Sequence, residues 1–135
     1  MFGFTTGVII QRKWKQAENM LKDTCFKPDV AIICNTDIIK EDGIYGAPTI
    51  AIEVISKGTK KKDLVDKYDY YEESGVKEYW IIYPETDIIE IHYLDENGEY
   101  SKSTKFSLYD EITTDIFKGF KLKINKEDVQ WIKKQ

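Results

Sequence analysis

Three short apolar runs punctuate an otherwise polar chain: VAIIC at 30–34, TIAIEVI at 49–55, and YWIIY inside KEYWIIYP at 77–84. Each is too short for a buried helix and is rich in β-branched or aromatic side chains, so each predicts a buried strand. Between the second and third, KKKDLVDKYDYYEESG sets Leu64, Tyr68 and Tyr71 at helical spacing and ends on Gly75, a suitable C-terminal cap. Strand, helix, strand implies a right-handed crossover with parallel strands. Pro84, Glu85 and Thr86 then turn into 87–94, where Ile89, Ile91 and Tyr93 alternate with Ile88, Glu90 and His92, which predicts a hairpin. Asn97 and Gly98 mark the next turn, before GEYSKSTKFSL, a polar edge strand. More strand is expected at 120–124, then a last short helix capped by Asn125 and holding Val129, Trp131 and Ile132. Upstream, Ile10, Trp14, Ala17 and Leu21 predict a helix over 8–22, and 35–48, with Asp42, Gly43, Gly46 and Pro48, reads as a loop. The whole is one α/β domain, residues 1–135, whose central sheet mixes parallel and antiparallel strands.

Within this pattern Glu53 is out of place. An ionised carboxylate in a buried strand costs several kcal/mol unless it is paired. If the strands at 30–34 and 49–55 pair antiparallel, the start of one lies beside the end of the other, and Asp29 and Glu53 meet at one edge of the sheet. Like charges at close range need a proton, a cationic side chain or a metal ion. Lys67 lies on the flank of the helix's apolar stripe and faces partly inward. Two carboxylates and a lysine are the set that metal-assisted phosphodiester hydrolysis requires: the acids hold Mg²⁺ or Mn²⁺, and the lysine positions a water or steadies developing charge. Each residue also has a plainer reading. Asp29 starts a strand, Glu53 forms a structural ion pair with Lys67, or Lys67 pairs with Asp63 one helical turn away.

Charge and composition narrow the partners. The net charge of −4 offers no general field to a polyanion, so DNA binding has to be local. Lys57, Lys60, Lys61 and Lys62 cluster just after Glu53 and suit a phosphate backbone, although such a run is by default a solvated face. A single histidine, His92, removes His-rich zinc sites, and its alternating strand explains it without catalysis. Cys25 and Cys34 lack metal-type spacing and read as a reduced pair, which with the absence of a long apolar span or cleavage pattern points to the cytoplasm. Tyr68, Tyr70 and Tyr71 offer stacking faces, but at helical spacing they read as core.

PDVAIIC, GAPTIAIEVIS, the spacing of Asp63, Lys67 and Tyr71, and GVKEYWIIYP together resemble the Uma family of restriction endonucleases, of the PD-(D/E)xK nuclease superfamily. The resemblance runs from about Lys27 to the C-terminus and implies a restriction-endonuclease-like mixed sheet flanked by helices. It makes Asp29 the first metal-binding acid and Glu53 the acid of the (D/E)xK element, with the Val54 backbone carbonyl as a further ligand. It marks Ser56 and Asp63 as supports of these groups. The lysine departs from the superfamily pattern: Ile55 stands two residues after Glu53, and Lys67 takes the lysine's place from the following helix. The segment before Pro28 is shorter than the family's, so the helix expected at 8–22 stands in for theirs, with the role of Glu18 left open. A sheet without the family's extra strands has an open edge, which a homodimer would cover. The resulting expectation is a Mg²⁺-dependent enzyme cutting DNA; the alternative is a degenerate, non-enzymatic dimeric binding module.

Overall fold

In the computed structural model the described residues are 8–9, 14–15 and 28–127. A six-stranded sheet forms the centre, in the order β1 (Val8–Ile9), β3 (Val30–Ile33), β6 (Ile50–Val54), β7 (Glu78–Tyr83), β8 (Ile88–Tyr93) and β9 (Lys102–Ser107). Only β6 and β7 run parallel, joined by helix α1 (Lys61–Glu73); the other neighbours are antiparallel. The crossover, the hairpin β7–β8 and the polar edge strand β9 are therefore where the hydrophobic pattern predicts them. The mixed sheet is of the expected α/β class, with one helix of several turns among the described residues.

Alternation along the strands divides the core. Ile50, Trp80, Ile89 and Ile91 point to one face, where Leu108 and Ile112 cover them. Ala51, Tyr79 and Ile81 point to the other, under Tyr71 of α1, with Val76 and Tyr100. The helix ends where Gly75 takes φ +80. Gly75 N–H donates to the Glu72 carbonyl at 3.1 Å and Val76 N–H to the Tyr71 carbonyl at 3.0 Å, a Schellman closure with Val76 and Tyr71 in apolar contact.

Two expectations are corrected. Residues 8–9 and 14–15 are strand, not helix: β1 pairs with β3, and β2 (Trp14–Lys15) pairs with β5 (Gly43–Tyr45). Helical spacing lost to long-range pairing, which no local pattern encodes. β1 pairs with Ile32 and Ile33, so β3 is not the outermost strand and its edge gives no reason for a homodimer. The loop at 35–48 also carries structure: a 3-10 turn at Thr36–Ile38, then β4 (Ile39–Lys40) paired with β5, making the three-stranded sheet β2-β5-β4. Ile39 faces Ile44 and Lys40 faces Gly43 across a two-residue turn at Glu41 and Asp42. Near the C-terminus, β10 (Ile112–Thr113) pairs with β11 (Lys121–Leu122) inside the predicted 120–124 strand. Glu18, Cys25 and most of the last predicted helix, with Val129, Trp131 and Ile132, lie outside the described residues.

A second carboxylate is buried in the sheet. Glu78, 2% exposed, accepts from Trp80 Nε1 at 2.9 Å and from the Thr114 hydroxyl at 2.7 Å, tying the segment after β10 to β7. Thr114→Val removes one of these donors in nearly the same volume, and is expected to lower unfolding free energy by about 1–3 kcal/mol in a urea titration. A loss below about 0.5 kcal/mol would show that the bond contributes little.

Candidate active site

The β3–β6 register sets Val30 opposite Ile52 and Ala31 opposite Ala51. Continued one step, it puts Asp29 opposite Glu53, and alternation turns both side chains to the face that α1 covers. Asp29 is exposed at the mouth of this edge, and its Oδ2 accepts from Val54 N–H at 2.8 Å, which fixes the carboxylate off the start of β3. In an extended strand a residue's N–H and C=O point to the same side, so the Val54 carbonyl also turns toward Asp29.

Glu53 is 2% exposed and both of its oxygens are engaged. Oε2 accepts from Lys67 Nζ at 3.0 Å and Oε1 from the Tyr71 hydroxyl at 2.7 Å. Lys67 and Tyr71 are four residues apart, so one turn of α1 delivers both donors side by side. The Lys67 side chain keeps 26% exposure, leaving its ammonium between the buried carboxylate and solvent. The ion pair of Lys67 is thus with Glu53, not with Asp63.

Burial raises the pKa of Glu53; the hydrogen bonds from Tyr71 and Lys67 and the charge of Lys67 pull it down, and the negative charge of Asp29 adds to the rise. Burial also pushes the Tyr71 phenol far up, with the Glu53 charge next, so Tyr71 stays a donor at every physiological pH. His92 pairs with Glu90 at 3.0 Å and packs edge-on against Tyr68; burial lowers its pKa. It occupies the aromatic core under α1, in keeping with its plain reading.

The remaining expected positions lie at the exit of β6. Ser56 is exposed, with its N–H and hydroxyl engaged by the Thr59 hydroxyl at 3.1 and 3.3 Å, and Thr59 N–H closes the turn onto the Ser56 carbonyl. Asp63 is exposed in the first turn of α1, where a carboxylate suits the helix dipole. Lys57, Lys60, Lys61 and Lys62 are all exposed, and Lys57 makes a surface pair with Glu85 at 3.7 Å. Tyr71 was missed as a site residue, because tyrosines at helical spacing read as core; its place four residues after Lys67 was the available signal.

Among the described residues no three of His, Cys, Asp and Glu stand together as a metal cluster. The oxygen groups gathered at this edge are the Asp29 and Glu53 carboxylates and, by strand geometry, the Val54 carbonyl, two carboxylates against one lysine. Such a set leaves an uncompensated negative charge and suits a hard divalent cation.

The family model for Uma2, described as "Putative restriction endonuclease", matches residues 15–125. The chain belongs to the Uma2 family. A solved structure described as "a putative nuclease belonging to DUF820", from Anabaena variabilis ATCC 29413, is similar to it, with a TM-score of 0.57 and 17% identity. The alignment covers 78% of this chain and 60% of that one, so this chain spans about three fifths of that protein's length. At that identity the likeness shows the fold. No curated protein matches the sequence. In this Uma2 chain the lysine that reaches the buried acid comes from α1, and Ile55 stands two residues after Glu53.

Proposed function

We propose that this Uma2 protein is a Mg²⁺-dependent endonuclease that hydrolyses phosphodiester bonds in DNA. The observation that carries the reading is a buried carboxylate, Glu53, faced by a second acid across the strand pair and held by a half-buried lysine. Asp29, Glu53 and the Val54 carbonyl would hold the ion. When bound, it would polarise the phosphate and lower the pKa of a water. Asp29 and Glu53 start in place, because Val54 N–H and the two donors from α1 already orient them. Lys67 has three N–H donors and spends one on Glu53, so the others are left for a water or a phosphate oxygen. Lys57, Lys60, Lys61 and Lys62 attract the DNA backbone beside the acids, and Ser56 and Asp63 shape the exit turn and the helix start that carry them.

Titration with Mg²⁺ or Mn²⁺ is expected to show saturable binding in the wild type and its loss in Asp29→Asn, which keeps the Oδ acceptor for Val54 N–H but removes the charge. Isothermal calorimetry reads both. Absence of binding at millimolar metal, together with absence of cleavage, would favour a non-enzymatic interaction module instead.

A further inference from the structure

Tyr79 is fully buried in β7, yet among the described residues its hydroxyl has no hydrogen-bond partner. Phenylalanine would fill the same space without burying that polar group, whose desolvation costs about 1–3 kcal/mol. A buried hydroxyl of this kind calls for a water, an ion or a functional explanation.

Its surroundings restrict the choice. The register sets the small side chain of Ala51 beside Tyr79 on the helix face, and the Tyr79 ring stacks on His92 at 6.2 Å on its other side. The Tyr79 ring lies 4.9 Å from that of Tyr71, the residue bonded to Glu53. The other polar groups around it are spoken for: Tyr68 hydroxyl donates to the Tyr100 carbonyl, Tyr100 hydroxyl to the Val76 carbonyl, and His92 pairs with Glu90. Burial raises the Tyr79 pKa, and the charges of Glu53, Tyr83 and Asp29 raise it further, so the phenol keeps its proton and feels both acids.

We propose that the Tyr79 hydroxyl holds a water molecule against Glu53 and Asp29, and that this is the water consumed in hydrolysis. The proposal rests on the nuclease reading above. In the reaction the water oxygen forms the new P–O bond, one of its protons leaves to solvent, and the P–O bond to the departing sugar breaks as that oxygen takes up a proton. Tyr79 is then a positioning residue: it places the attacking oxygen without touching the phosphate.

The test pairs a high-resolution crystal structure of the metal-free wild type with Tyr79→Phe, examined by crystallography, thermal unfolding and cleavage kinetics. The expected result is an ordered water within hydrogen-bond distance of Tyr79 Oη and of one of the two acids, absent in Tyr79→Phe. The variant is expected to melt no lower than the wild type, with kcat down about tenfold to a hundredfold and KM for DNA unchanged. A dry Tyr79 hydroxyl, a hydroxyl bonded to a protein group, or wild-type kcat in the variant would each overturn the inference. The wild-type structure separates the two failures. A dry hydroxyl overturns the inference whatever the activity, whereas a hydrated hydroxyl in a protein that cuts nothing overturns the nuclease reading and with it the role given to the water.

Discussion

Glu53→Gln is expected to abolish metal-dependent DNA cleavage while leaving the protein folded. Glutamine matches glutamate in size, its carbonyl can accept from Lys67, and its amide can donate to a rotated Tyr71 hydroxyl, so both contacts of the buried site persist. Removed are the negative charge and the ability to bind a hard cation tightly. If that charge supplies about 4 kcal/mol of transition-state stabilisation, the rate falls about 10³-fold. Cleavage of a supercoiled plasmid in Mg²⁺, with circular dichroism as the check on folding, measures it. A folded variant that cuts at the wild-type rate would remove Glu53 from the chemistry.

Lys67→Met is expected to produce the largest loss of stability, and the loss depends on pH. Methionine keeps the apolar stem that packs along α1 but leaves Glu53 with Tyr71 as its remaining donor. Stripping a buried carboxylate of its cation is expected to cost about 2–4 kcal/mol near pH 8, less than for a fully buried pair because the lysine is partly exposed. The sign follows from the proton balance. Burial already raises the Glu53 pKa, and Lys67 is one of the groups holding it down, so the variant's pKa rises further. Between the ordinary carboxylate value and that raised value the native state keeps a proton that the unfolded chain has released. Unfolding free energy therefore falls as pH rises through the window and levels off above it. Urea titrations are expected to show a small deficit in the ordinary carboxylate range and a deficit that grows as pH rises above it. A deficit that does not change with pH would mean that Lys67 acts through packing rather than charge.

The parts of the fold that were legible in the sequence are those whose signal is local. Ile50, Ala51 and Ile52 before Glu53, and the run from Tyr79 to Tyr83, are continuously apolar or aromatic because both faces of β6 and β7 pack against other elements. Once those strands and the helix between them are placed, antiparallel pairing of β3 with β6 brings Asp29 to Glu53, and Lys67 follows from the helical angle. The N-terminal strands were not legible, since Trp14 gains strand conformation by pairing with Ile44, thirty positions away in sequence. The β4–β5 hairpin turns at Glu41 and Asp42, one position before the Asp42-Gly43 pair a turn signal would mark, and its strands are so short that turn residues dominate the pattern. Glu78 went unremarked because it stands beside Lys77 at the head of an apolar run rather than inside one as Glu53 does; its partners, Trp80 and Thr114, are neutral and one of them is distant in sequence. Tyr79 is the subtler case, because nothing in a sequence distinguishes a buried phenol with a partner from one without.

The most direct measurement is a crystal structure of the wild-type protein soaked in Mn²⁺, read from the anomalous signal of the metal. The expected result is a single ion touching both the Asp29 and the Glu53 carboxylates, with Lys67 beside it and no ion in Asp29→Asn. Acids that bind no ion at millimolar Mn²⁺, or an ion bound elsewhere in the chain, would contradict the assignment of this edge as the catalytic centre.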